Sequence, residues 1–270
     1  MNDSVARSWV SSLALMMCAP VFACPPDSTL DTLLEHKALV IGEIHGTVET
    51  PAFFQCLVER ALVSIDEPLT VSLELASSAR DPSSSFWSGE DGRSSQAMWQ
   101  LVQFLKEQEQ LGKLSLHLQL EKPVFNSFEE AKAYSDDWER HRGIAIKELA
   151  ARGRVIALMG NAHSMRDPGK FEGIPGELFM AGYYMGSEVT RVAVENVEDG
   201  EAWVCKGIPP AITCGAVTVK KRGIAGAVPG AIVNGDAMGH DLIYFIEERA
   251  FSASPPHLQT TSSDERSPAP

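Results

Sequence analysis

The chain has 270 residues, of which 44% are hydrophobic and 22% charged, and it carries a formal net charge of -13. Such a composition supports a single globular domain with a full core and excludes a fibrous or wholly disordered protein. With acidic residues spread along the chain and no basic run longer than Lys220-Lys221-Arg222, nucleic acid is excluded as a natural partner.

Residues 1–23 read as an export signal. Arg7 lies in a short polar start, an apolar run follows from Trp9 to Ala23, and Val21 and Ala23 precede a cleavage point. The run is too short for a good membrane span, and Pro20, Pro25 and Pro26 would break a buried helix. The mature chain is therefore expected to have no transmembrane span and to be exported, either periplasmic or secreted. Beside the usual lipobox pattern, Phe22 stands where a small residue is expected, which disfavours a lipid anchor at Cys24.

Cleavage before Cys24 leaves Cys24, Cys56, Cys205 and Cys214, an even set in an oxidising compartment, so disulfides are predicted. Cys205 and Cys214 flank the turn-rich Gly207–Thr213 segment and form the first-choice pair. Cys24–Cys56 then follows by elimination, although four cysteines allow three pairings. No Cys-x-x-Cys spacing supports zinc.

In the mature chain, apolar runs of strand length recur at Ala38–Ile41, Leu69–Leu75, Leu114–Leu120, Val155–Met159, Val189–Val194 and Leu242–Ile246. Helical spacing fills Pro51–Ile65, Ser95–Leu111 and Phe128–Arg152 between the first four. The alternation predicts an α/β fold with a mainly parallel central sheet and crossover helices on both faces. Thr50 is read as an N-cap before Pro51, and Ser127 with Glu130 as a capping box. Strict alternation in Leu114–Leu120 places that strand near an edge, with His117 a half-exposed surface histidine sharing a face with Ser115 and Gln119. Asp81–Ser95, rich in Ser, Gly and Asp, reads as a long loop over one end of the sheet and a candidate lid. A β excursion is expected between Gly200 and Gly235. One domain covers residues 24–251, and the Ser/Thr/Pro-rich tail, 252–270, is predicted to be disordered.

Two strands share an ending. Ala38-Leu39-Val40-Ile41-Gly42-Glu43-Ile44-His45 is echoed by Ile156-Ala157-Leu158-Met159-Gly160-Asn161-Ala162-His163, each an apolar strand followed by Gly-x-x-His. Either histidine alone reads as well as a loop residue or cap; the pair predicts a crevice, because ligands in open α/β sheets sit at the carboxyl ends of the strands. Glu43 shares a face with His45 if the chain stays extended, and Glu74 ends the second strand among leucines, where burial demands a proton, a cation or a donor. Two carboxylates and two imidazoles suit either a water activated by general base catalysis or a divalent transition metal held by Glu43, His45 and His163. Asn161 and Gly46 are candidates for the same mouth, and Glu49 for a first-turn acid.

These motifs resemble the superfamily of erythromycin esterases, haem-binding ChaN lipoproteins, TraB proteins and Tiki proteases. The resemblance rests on Gly42-Glu43-Ile44-His45-Gly46, Glu74, Gly160-Asn161-Ala162-His163 and the arginine-bearing Arg140–Ala145, over Leu39 to about Val194. It implies an α/β sheet with acids, histidines and an arginine at the strand ends. Carried over, Glu43 and His45 are the base or metal-binding pair, His163 the second imidazole and Glu74 a supporting acid. Arg140 is the anchor for a carboxylate or oxyanion, with Arg142 as the alternative. The expectation is an exported hydrolase of an ester or amide in a small-molecule or peptide substrate. The ChaN likeness implies haem binding between subunits, and so a dimer, as the alternative. The continuation Ser164-Met165-Arg166-Asp167-Pro168 departs from the TraB and Tiki pattern, and nothing in the spacing of Tyr183 and Tyr184 singles out an axial ligand.

Overall fold

The computed structural model describes residues 23–119, 128–169, 177–206 and 212–257. The export signal and the Ser127 cap fall outside these residues. Along the chain run α1 (Asp27–Leu34), β1 (Ala38–Glu43), α2 (Glu49–Ser64), β2 (Leu69–Leu73), α3 (Gln96–Gln110), β3 (Ser115–Leu118) and α4 (Phe128–Arg152). They are followed by β4 (Arg154–Gly160), α5 (Ala181–Tyr184), β5 (Thr190–Glu195), β6 (Gly200–Lys206), β7 (Thr213–Val219), β8 (Ile232–Asn234) and β9 (Leu242–Phe245).

Among the described residues the main sheet has seven strands in the order β3-β2-β4-β1-β5-β9-β8. All its pairings are parallel except that of β8 with β9. The six apolar runs of the sequence become β1, β2, β3, β4, β5 and β9, so the mainly parallel α/β sheet is as expected. Every residue of β1 is buried, as a central strand covered on both faces must be. Alternate β1 and β4 positions point to opposite layers. Leu39, Ile41, Ile156 and Leu158 pack with Phe53 and Leu57 of α2 and Leu101 and Leu105 of α3, while Val40 and Ala157 pack with Ile146 and Ala150 of α4 and Ala181 of α5. Full burial stabilises each large side chain by roughly 1.5–3 kcal/mol.

Insertion of β4 between β1 and β2 brings three chemically active strand ends together. Glu43, at the end of β1, is the register partner of Gly160 at the end of β4, and Leu73, at the end of β2, is the partner of Leu158. Both Gly-x-x-His endings and Glu74 therefore emerge side by side. At the edge, β3 is only partly buried, and His117 shares a hydrogen bond with Ser72 Oγ at 3.0 Å.

The expected β excursion is the antiparallel β6–β7 hairpin, in which Cys205 and Cys214 are cross-strand partners joined by a disulfide. A second disulfide ties Cys24 to Cys56 of α2. Both pairings are the expected ones, and they suit an oxidising extracellular or periplasmic environment. Among the described residues no helix is long and apolar enough to cross a membrane.

Two readings need correction. Helix α2 begins at Glu49, with Val48 rather than Thr50 at the cap position, because Thr50 is buried and bonded to Thr47. Glu49 is a first-turn acid as expected, and its carboxylate accepts the Ser252 N–H at 2.8 Å. The tail does not begin as a disordered segment. Ser252 O accepts from Val48 N–H, Ser254 N–H donates to Gly46 O at 2.8 Å, and His257 stacks on Trp99 at 4.1 Å. Backbone pairing and one stacked ring outweigh the polar composition of residues 252–257, while 258–270 fall outside the described residues. The Asp81–Ser95 segment is built from short 3-10 turns pinned by fully buried Trp87, whose indole donates to Ala79 O.

Candidate active site

The site lies at the carboxyl ends of β1, β4 and β2. Glu43 closes β1 with its side chain on the Gly160 face, and the chain then turns so that His45 Nδ1 lies 2.7 Å from Glu43 Oε1. A carboxylate only accepts, so Nδ1 carries the hydrogen and Nε2 is left as the basic atom. Gly46 makes the turn possible: its φ is 78°, and a Cβ there would sit 2.0 Å from Trp203 O. Its carbonyl accepts from both Trp203 N–H and Ser254 N–H, at 2.9 and 2.8 Å. Hairpin and tail thus hold the histidine turn from outside.

Glu74 follows β2 directly and is buried. Its Oε2 accepts the Gly160 N–H at 2.7 Å and lies 2.9 Å from Arg142 Nη2; its Oε1 faces His163 Nε2 at 3.6 Å and Arg93 Nη1 at 3.5 Å. Arg93 comes from the last of the 3-10 turns within Asp81–Ser95. These cations outweigh the burial that would otherwise raise the Glu74 pKa, His163 and Arg142 contributing most, and hold the carboxyl well below the usual carboxylate range.

Helix α4 supplies the second half. Arg142 is only 1% exposed; its Nη1 lies 3.3 Å from Glu139 Oε1, its Nε donates to Gln119 Oε1 at 3.3 Å, and its guanidinium lies 4.8 Å from the Trp138 ring centroid. Glu139 also receives the Ala181 N–H at 2.8 Å and faces His163 Nδ1 at 2.8 Å. A Cβ on Gly143 would lie 2.3 Å from Ala181 O, so glycine at that position lets α5 approach α4 closely enough for Glu139 to reach it.

The structure therefore brings Glu43, His45, Glu74 and His163 together but not Arg140, which is exposed on α4. Arg142 is the arginine of the cluster. Glu139, Arg93 and Gln119 belong to it and were not singled out by sequence. For Glu139 a signal existed, since Glu139 and Arg142 are three residues apart on one helix face. Asn161 does not join the histidines: its Nδ2 donates to Glu195 Oε1 at 3.2 Å. Gly46 serves the turn.

The metal expectation also needs correction. Among the described residues no three His, Cys, Asp or Glu side chains are grouped to hold a metal ion. Glu43 is turned to His45 Nδ1, Glu139 to His163 Nδ1, and Glu74 to guanidinium and imidazole, so the acids meet cations and donors already within the protein. Glu43 with His45 and Glu139 with His163 make two acid–imidazole pairs rather than a converging ligand shell.

These pairs face one point. A methyl group on Gly160 would lie 3.0 Å from His45 Nε2, 3.1 Å from His163 Cδ2 and 3.5 Å from Glu74 Oε2. Burial pulls the His45 pKa down, but Glu43 and then Glu74 outweigh it, and the net direction is above the ordinary 6.5.

Among solved structures, an erythromycin esterase mutant (EreC) in its open conformation matches with a TM-score of 0.52 at 10% identity, over 86% of this chain and 95% of that one. The chain has the erythromycin esterase fold. A Bacillus cereus protein matches equally, at TM-score 0.52 and 10% identity over 87% of this chain and 96% of that one. ChaN of Campylobacter jejuni, in a structure showing cofacial heme binding, reaches a TM-score of 0.35 at 12% identity over 64% and 86% of the two chains, and at that distance it carries no argument about haem. No family model and no curated protein matches.

In this esterase-fold chain the glycine at 160 is the floor between the imidazoles. Gly160→Ala is expected to push the His45 and His163 rings apart by a few tenths of an ångström. Stability should change by no more than about 1 kcal/mol, while any turnover dependent on both rings should fall by about 10²-fold. Thermal unfolding and kinetics on the same preparation would separate the two effects.

Proposed function

We propose that the protein is an exported hydrolase that cleaves an ester or amide bond in a small-molecule or peptide substrate, with His45 as general base. The observation that carries this reading is the anchored imidazole: Nδ1 is fixed on buried Glu43, and Nε2 points to the His163 ring above Gly160. The same fold in an erythromycin esterase supports it.

In this reading water enters beside His45 Nε2. As the water oxygen bonds to the substrate carbonyl carbon, Nε2 takes its proton and Glu43 stabilises the imidazolium. The carbonyl electrons move to oxygen, and the oxyanion is met by Arg93, half-exposed at the mouth, while the His163 ring, held through Nδ1 against Glu139, bounds the other side. The tetrahedral adduct then collapses, the bond from carbon to the leaving oxygen or nitrogen breaks, and His45 returns the proton to the leaving group. Glu74, already matched by Arg142 and the Gly160 N–H, has no proton to exchange in its depressed range and acts as a positioning residue. Each step uses side chains alone, in keeping with the paired rather than converging arrangement of the acids.

The test is turnover of a panel of activated esters and anilides. His45→Ala is expected to lower kcat/KM by about 10²–10⁴-fold, and His163→Ala by about 10²-fold, with melting temperatures near that of the native chain. Unaltered hydrolysis in both variants would remove the proposal. Soret-band titration with haemin separates it from the haem-binding alternative, which requires a spectral shift that saturates.

A further inference from the structure

On the opposite face of the same strand ends lies a cavity of about 390 Å³, lined among others by Asn161, Met165, Asp167, Arg222, Asp236 and His240. That volume is in the range of small-molecule pockets, about 300–1,000 Å³. The turn after β4 divides the two sites: Asn161 and Ala162 line the cavity, whereas His163 reaches Glu139 on the other side. None of the groups assigned to hydrolysis above lines it.

Behind Asn161 and Arg222 stands Glu195, the last residue of β5 and 1% exposed. Its Oε1 accepts from Asn161 Nδ2 at 3.2 Å and lies 3.3 Å from Arg222 Nε, while its Oε2 is buried without a hydrogen-bond partner among the described residues. Asn161 Oδ1 is a second buried acceptor without a partner among the described residues. Asn161 lines the cavity and Glu195 is bonded to it from behind, so two acceptors short of donors stand beside the cavity, where a ligand that brings donors would satisfy them.

Charge decides which donor. The cation facing Glu195 is Arg222, whose side chain is 56% exposed and which follows the end of β7, so it can swing away. Buried His240 adds no positive charge: its Nδ1–H is given to Met238 O, its Nε2 faces Ser164 Oγ, and burial pushes it down to about 4. At the rim, Asp167 and Asp236 share Arg166, each at 3.0 Å, and Asp241 also pairs with it at 3.1 Å. Four carboxylates, Glu195, Asp167, Asp236 and Asp241, thus face three guanidinium groups, Arg222, Arg166 and Arg191, the last 3.3 Å from Asp241. Met165 and Met238 supply an apolar wall for an alkyl stem.

We propose that this cavity binds a small molecule bearing an alkylammonium group, which displaces Arg222 and donates to Glu195 and Asn161. An ammonium has three donors and no acceptor, which matches a carboxylate oxygen and an amide oxygen facing no donor among the described residues. Burial pushes Glu195 up to about 7, so an arriving cation near neutral pH also releases a proton from it. This site stands independently of hydrolysis at His45.

The test is isothermal titration calorimetry of the full mature chain with putrescine, and with 1,4-butanediol as its uncharged counterpart. Saturable binding of one putrescine and none of the diol is expected. Glu195→Gln should weaken putrescine binding by about tenfold or more, because it removes the buried charge. Arg222→Ala, which removes the competing guanidinium, should tighten it, and His163→Ala should leave it unchanged. Equal binding of the diol, an unchanged affinity in Glu195→Gln, weaker binding in Arg222→Ala, or no saturable binding at all would each overturn the proposal. Should Glu195→Gln fail to fold, the direction of the Arg222→Ala change decides alone.

Discussion

Replacing Arg142 with methionine is expected to destabilise the fold by about 3–5 kcal/mol at neutral pH, the cost of removing one partner from a buried ion pair. Arg142 lies 2.9 Å from Glu74 and 3.3 Å from Glu139, both carboxylates buried, so its loss leaves acids in the interior short of a cation. Against a total stability of about 5–15 kcal/mol for a domain, that is a large fraction. The sign of the pH dependence follows from Glu74. Its folded pKa is depressed, so in the native chain its contribution is present above the unfolded value of 4.5 and is lost as pH falls through the folded value. In the variant the folded value rises toward the unfolded one, and acidification costs the variant less. The gap between the two proteins should therefore be widest at pH 7 and narrow below about pH 5. Urea unfolding at both pH values measures this. Arg140→Met, two residues away on the exposed face, is the control and should stay within about 0.5 kcal/mol. A larger loss at 140 than at 142 would mean that the helix phase is wrong.

That contrast also shows where sequence reasoning reached and where it stopped. The six main strands were legible because each is an apolar run long enough to be buried on both faces or to alternate. Strand β8, of three partly exposed residues, and α5, of four, offer no such period. Arg140 was placed before Arg142 although the helix carried its own correction: Ile146 and Ala150 are buried apolar positions of α4, and moving back from Ile146 by four and by seven reaches Arg142 and Glu139. Position 140 falls off that stripe. The paired Gly-x-x-His endings were readable because both histidines belong to one repeated pattern. Glu195 and His240 were not, because a single acid at a strand end and a single histidine in a turn acquire meaning only once the sheet order places β5 and β9 side by side. Likewise, a sequence shows that Glu43 and Glu74 are acids at strand ends. It does not show that one is matched by an imidazole and the other by guanidinium, and that difference separates a base pair from a positioning acid.

Glu43→Gln tests that separation most directly, with an expected loss of about 10²–10⁴-fold in kcat/KM and little change in stability. The carboxylate holds His45 Nδ1 at 2.7 Å and is the largest of the influences that raise the His45 pKa above 6.5; burial and Arg93 act in the opposite direction. As a base His45 must be neutral, so activity of the native chain should rise with pH along a limb whose midpoint lies above 6.5. With a neutral amide in place of the carboxylate, burial is less opposed, the midpoint should move to lower pH, and the plateau reached above it should be far lower, because the imidazolium formed in the transition state has lost its counter-charge. Stability has no reason to fall in parallel: Glu43 Oε2 is buried without a partner among the described residues, and an amide costs less to bury than a carboxylate. A variant that melts like the native chain, works slowly and does so with its pH limb displaced downward would fix Glu43 as the group that positions and charges His45. Retention of both rate and midpoint would assign the proton transfer elsewhere, with His163 and its own acid, Glu139, the next pair to test by the same substitution.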